Sequence, residues 1–278
     1  MAKTQDTGLE RAALPFMLDC EARRLTPQTR AYYEARLRQF RAWCAPQGIT
    51  RLEEVTPELL RAWFAGMVTR GLAEDTQATA ARVARTFFNF CVAEGLLESS
   101  PMNKVRLPRP SKRILPAFTP QEVNALLEAA RESDDADRDR ALLLVLLDTG
   151  VRASELVRLT PADIDLRSGA VMVRAGKGKK DRVVFCGART RKALVRHLSG
   201  DDSGVLWRSR MTGEPLTHWG VRSILKRLGD RAGMTHVSAH KFRRTFCLWS
   251  IRAGMDLVSL SRLMGHEGAQ APWLRVPL

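Results

Sequence analysis

Five side chains in the second half of this sequence could act together on a phosphodiester: Arg152, Lys177, His240, Arg243 and His266. Arginine offers a planar fork for two phosphate oxygens. A lysine whose pKa is lowered by neighbouring cations can protonate a departing oxygen. Histidine carries a proton near neutral pH. The spacing fits such a use. In Thr149-Gly150-Val151-Arg152-Ala153-Ser154-Glu155-Leu156, an apolar helix through Leu147 stops at Gly150, and a short helix opens with Arg152 in its first turn. A cation is poorly placed at a helix N-terminus unless an anion shares the point with the backbone N–H groups. Glu155, three residues on, can hold the guanidinium; an ordinary surface Arg–Glu pair is the plain alternative. Lys177 lies between Gly176 and Gly178, either in a solvated loop or with its amine free to reach a partner. His240 and Arg243 are three apart on a helix whose other side carries Phe242 and Trp249, so both are expected to point off the aromatic face. His266 follows a short helix over 256–264. No tyrosine, serine or cysteine comes after it, and the two tyrosines of the sequence are Tyr32 and Tyr33.

The elements that must hold these residues are mostly helices. Helical spacing places Tyr33, Leu37, Phe40 and Cys44 on one stretch from Thr29. Thr56-Pro57 reads as a cap and first position for a helix closed by Gly71. Asp75 to Glu94 is a third helix, and Leu14 to Arg24 a shorter one with Pro15 in its first turn. These four make a small bundle around the aromatics. A second domain opens at the capping box Thr119-Pro120-Gln121-Glu122, with helices over 120–131 and 137–149. The period then changes: 170–174 and 181–185 are valine-rich runs flanking Gly176-Lys177-Gly178-Lys179-Lys180, a β-hairpin with a basic turn. Helices resume over 189–198, 217–232, 239–253 and 256–264. The fold class is mainly α: a helical bundle, then a mostly helical domain with a small antiparallel sheet. The domains run 1–103 and 118–278.

Between them, 104–117 is a proline-rich strap with Lys104, Arg106, Arg109, Lys112 and Arg113 and no acid. It is either a solvated tether or a contact to phosphates. The chain has a net charge of +15 over 278 residues, so a polyanion is the expected partner. Residues 1–110 carry 16 Lys and Arg against 12 Asp and Glu, and residues 111–278 carry 29 against 18; the excess follows the candidate site. No apolar run approaches the ~20 residues of a membrane span, and the first residues lack a signal-peptide core. A cytoplasmic, nucleoid-associated protein is expected. Cys20, Cys44, Cys91, Cys186 and Cys247 are scattered singly, which argues for buried apolar residues and against disulfides or zinc. No metal and no cofactor is expected.

The motifs T-G-x-R-x-S-E-L at 149–156, G-K-G-x-K-x-R at 176–182, H-x-x-R at 240–243 and L-x-G-H at 263–266 resemble, in this order, those of the tyrosine recombinase (phage-type integrase) family. The resemblance covers about residues 10–268, with the first bundle similar to the family's SAM-like core-binding domain. It implies that Arg152 and Arg243 clamp a scissile DNA phosphate and Lys177 protonates the 5′ oxygen. It also implies that His240 assists proton transfer, His266 hydrogen-bonds the phosphate and Glu155 supports Arg152. Lys179, Lys180, Arg182 and Arg244, beside the motif residues, are expected on double-stranded DNA. Active members attack with a tyrosine, keep the bond energy in a 3′-phosphotyrosyl ester, and work as tetramers on two DNA sites.

The resemblance puts that tyrosine about nine residues past His266, where this sequence has Arg275, in a stretch with Pro272 and Pro277. The expectation is a recombinase site that holds the bond without its own nucleophile, with tetramer assembly weakened. A shift of frame or a truncation near residue 269, a short form that occupies sites without cutting, and a tyrosine supplied by a partner chain all stay open. A basic helical RNA-binding protein is the more distant alternative.

Overall fold

The computed structural model describes residues 8–106, 116–174, 181–199 and 204–265. The chain divides into two compact units, Met1–Arg113 and Ile114–Leu278. Among the described residues it forms eleven α-helices and one two-stranded sheet. No described helix is long and apolar enough to cross a membrane.

The first unit is a four-helix bundle: α1 (Leu9–Ala22), α2 (Pro27–Cys44), α3 (Pro57–Thr69) and α4 (Glu74–Ala93). Thr26 and Thr56 cap α2 and α3, each accepting from the backbone N–H three residues on, and proline fills the first position of both helices. Proline has no N–H to leave unpaired there. The core is aromatic: Phe16, Phe40, Trp63, Phe87 and Phe88 are all buried. Phe40 meets Trp63 edge to face at 4.8 Å between centroids. Helix α1 starts earlier than its proline suggests, so Pro15 lies inside it. Leu9, Ala12, Ala13, Phe16 and Cys20 give it a buried stripe, and the Leu9 N–H bonds the Thr50 carbonyl at 2.8 Å. Tertiary burial thus outweighs the hydrogen bond that an interior proline forgoes. Met102 and Val105 still belong to this core.

The second unit is built around α6 (Ala136–Thr149), whose residues Ala141 to Leu146 are all buried. It contacts α5 (Pro120–Arg131), α8 (Ala188–Leu198) and α10 (Ala239–Arg252). The predicted capping box is present: Thr119 Oγ1 accepts from the Glu122 N–H, and Glu122 Oε2 from the Thr119 N–H. The four-residue α7 (Ala153–Leu156) follows α6. Strands β1 (Ala170–Val173) and β2 (Arg182–Phe185) pair antiparallel, with Val171 opposite Val184 and Val173 opposite Arg182. Val171, Val173 and Val184 face inward, while Met172, Val183 and Phe185 are exposed. Helices α9 (His218–Arg231) and α11 (Leu257–Met264) complete the unit. All five cysteines are buried, and burial pushes Cys91 and Cys186 up to about 12, so they are inert thiols.

Two long-range details fasten α10. The Phe118 N–H donates to Thr245 Oγ1 at 2.8 Å, and the Lys241 ammonium sits 4.1 Å from the Phe118 ring centroid. At the end of α6, Gly150 has φ +58, and a Cβ there would lie 2.7 Å from Phe246 Cδ1. Glycine is required twice over, by the left-handed cap and by the ring. Gly150→Ala is expected to cost about 2–4 kcal/mol, from left-handed strain and overpacking together, read as a lower urea midpoint at unchanged slope.

Candidate active site

Of the residues singled out in the sequence, Arg152, Glu155, His240 and Arg243 come together in the second unit. Arg152 is the N-cap of α7, extended at φ −73 and ψ 152, one step outside the first turn predicted for it. Its backbone N–H and its Nη1 both donate to Glu155, at 2.8 Å each. Lone cation capping is unfavourable, and Glu155 supplies the negative charge that offsets it. The Arg152 side chain keeps 28 % of its surface exposed, against 10 % for Glu155. Arg152 is therefore braced from behind and open in front.

Glu155 has a second partner. Arg182 donates from Nη1 and Nη2 to its two carboxylate oxygens, at 3.1 and 2.7 Å, and from Nε to the Leu263 carbonyl at 2.7 Å. Gly265, in the left-handed cap of α11, lies over this guanidinium: a Cβ there would sit 3.2 Å from Arg182 Nη1. Arg182 was expected on DNA; its side chain is only 9 % exposed and points inward. The pleat explains the correction. Arg182 is two residues from buried Val184 and so shares its face, a signal present in the sequence but masked by the basic run before it. Burial would raise the Glu155 pKa, but hydrogen bonds from Arg182 and from the Arg152 backbone, with the charge of Arg182, hold it down at about 2.

Arg243 is likewise not on an open polar face. It is 5 % exposed, with Nη1 donating to the Gly150 carbonyl at 2.7 Å and Nη2 to the Met264 carbonyl at 2.5 Å. Burial, then the nearby Arg152 charge, lowers its pKa to about 10, so it is a cation at neutral pH. His240, exposed one turn earlier, is pushed below its usual value by partial desolvation and then by Arg243, Arg244 and Arg152. It is a neutral imidazole at pH 7, suited to accept a proton or a hydrogen bond. Arg244 is half-buried beside it.

The corner thus gathers Arg152, Arg182 and Arg243 around one carboxylate, with Arg244 near His240. Such a surplus of positive charge favours an anion, and the planar forks of Arg152 and Arg243 suit phosphate. Lys177, Lys179, Lys180, His266 and Arg275 lie outside the described residues, as do Arg109, Lys112 and Arg113 of the strap. Lys104 and Arg106 are exposed at the end of the first unit, and the Lys104 carbonyl accepts from Arg61.

Removing Glu155 strands a buried guanidinium, a loss of about 3–5 kcal/mol where a buried pair is broken. Glu155→Gln is expected near the lower bound, since one acceptor remains. The sign with pH follows from the depressed pKa. The carboxylate's contribution is full above about 4.5, its unperturbed value, and is lost as pH falls towards about 2. Urea unfolding of the variant should vary less with pH across that window than unfolding of the parent chain.

Residues 116–271 match the Phage integrase family and residues 20–95 the Phage integrase N-terminal SAM-like domain. The chain is 34% identical over 254 residues to Tyrosine recombinase XerD of Pseudomonas aeruginosa, covering 87% of this chain and 84% of that one. It is 33% identical over 246 residues to Tyrosine recombinase XerC of Bacillus subtilis, covering 84% and 81%. Among solved structures, a lambda integrase dimer bound to a COC' core site shares the fold at TM-score 0.77 and 17% identity, over 95% of this chain and 96% of that one. The Tn1549 transposon integrase in complex with a circular intermediate DNA does so at TM-score 0.76 and 18% identity, over 94% and 92%. Both units are matched, and the relatives align along most of their length: the chain belongs to the phage integrase family of tyrosine recombinases.

Proposed function

We propose that this chain is a site-specific DNA recombinase whose second unit grips one phosphodiester of a duplex between Arg152 and Arg243 while strands are cut and rejoined. The observation that carries this reading is the convergence of those two arginines, 91 positions apart in sequence, on a corner braced by Glu155. Arg152 presents an open guanidinium, and Arg243 a cation fixed by two carbonyls. Fixed positive charge at that point stabilises the extra charge that builds on a phosphorane-like transition state. His240 is neutral and one turn from Arg243, so it can take a proton from an attacking hydroxyl. Family membership supports the remaining roles: Lys177 protonates the 5′ oxygen, His266 hydrogen-bonds the phosphate, and tetramers form on two sites. On this reading the chain works on the nucleoid.

A second reading has its own observation. The sequence's two tyrosines are committed to the first unit's packing. Tyr32 Oη accepts from Arg36 Nε at 3.0 Å, and the Tyr33 ring stacks on Phe16 at 5.8 Å. A polypeptide of these 278 residues therefore occupies DNA sites and holds the phosphate without attacking it.

Binding of that polypeptide to a nicked duplex should weaken steeply with salt, and no SDS-resistant protein–DNA adduct should form. An adduct mapped to any of these residues would end the second reading. Arg152→Gln should weaken duplex binding roughly tenfold and lower the slope of log affinity against log salt by about one. An unchanged slope would remove Arg152 from the phosphate and with it the first reading.

A further inference from the structure

The second unit carries another cluster of cations at the far end of α6. A cleft of about 390 Å³ is lined by Arg131, Arg140, Arg189 and Arg196 together with Glu128 and Asp137. Helix α6 spans 14 residues from Ala136 to Thr149, roughly 20 Å at 1.5 Å per residue. The cleft is at its start and Arg152 just beyond its end. A single phosphate cannot be shared between them.

The pairing within the cleft is uneven. Arg131 is engaged by Glu128 at 2.7 Å. Arg140, Arg189 and Arg196 make no side-chain hydrogen bond or ion pair with the described residues. Most arginines around them are tied down. Arg138 is held by Asp135 and Asp139, Arg191 by the Leu166 and Arg167 carbonyls and Arg231 by the Ala129 carbonyl. Three guanidinium groups from two helices thus line one concavity with Asp137 as the remaining acid. Like charges gathered this way repel one another, and an anion between them relieves the repulsion. Ala136 is the one apolar side chain in the lining, so the cleft lacks the aromatic and aliphatic surface that holds a ring or an acyl chain. Three planar forks suit clustered phosphate oxygens.

We propose that this cleft is a second anion site, separate from the scissile-phosphate corner, that binds a run of two or three linked phosphates. The phosphates could be supplied by a free polyphosphate group or by the backbone of DNA lying outside the active site; the chemistry of recognition is the same, and the experiment separates the sources.

The probe is inorganic tripolyphosphate, titrated calorimetrically into the 278-residue chain at about 0.1 M salt, where charges beyond ~10 Å are screened. Saturable binding is expected at this cleft, in addition to any phosphate taken by the Arg152 corner. Arg189→Gln combined with Arg196→Gln should weaken it at least about tenfold, as the loss of charge-assisted contacts implies. Asp137→Asn should tighten it, a direction that misfolding cannot mimic. If the double variant keeps its affinity for a short duplex within about twofold, the source is a free polyphosphate; if duplex affinity falls in parallel, the source is DNA backbone. Either result supports the site. Non-saturable binding to the parent chain, or tripolyphosphate affinity unchanged in the double variant, overturns it.

Discussion

The carboxylate of Glu155 is the joint on which the second unit's site depends. It takes the two terminal nitrogens of Arg182 and two N–H groups of Arg152, its own near neighbour. A buried carboxylate alone would be strongly disfavoured. Here every lone-pair direction has a donor, so the charge is retained and its pKa falls instead of rising. The consequence is geometric. Arg152 is aimed by a group that is itself locked, and the lock belongs to a different segment, strand β2.

Arg182 and Arg243 do parallel work. Each runs from the stretch around Gly150 and Glu155 to the stretch around Leu263 and Met264, one through a carboxylate and a carbonyl, the other through two carbonyls. Neither acceptor set is charged enough to neutralise both arginines, so the corner stays electropositive while its backbone stays fixed. Glycine is favoured at both ends of the bridge, at 150 by Phe246 and a left-handed φ, and at 265 by a left-handed φ with Arg182 close against it. The T-G-x-R and L-x-G-H patterns therefore carry packing requirements as well as chemistry.

Much of this was legible in the sequence where the cause is local. Thr26-Pro27, Thr56-Pro57 and Thr119-x-x-Glu122 mark helix starts because a cap satisfies N–H groups within three residues. The valine-rich runs gave the hairpin because alternation is a property of a strand by itself. Local signals failed where a distant partner decides. Pro15 looked like a first-turn residue, yet burial of Leu9 and Ala12 extends α1 past it. Arg182 looked like one more cation in a basic run, but the pleat turns it inward. Arg243 was placed on an open face because its acceptors, 93 and 21 residues away, leave no trace in helical periodicity.

The hydrogen bond from Phe118 to Thr245 has a mechanical meaning. It joins the segment just before α5 to the helix that carries His240 and Arg243. The Lys241 ammonium, seated on the Phe118 ring and paired with Glu122 at 3.2 Å, makes the same connection a second time. The segment leading into α5 is therefore held on α10 at more than one point. A displacement of Phe118 is therefore also a displacement of the helix that positions Arg243.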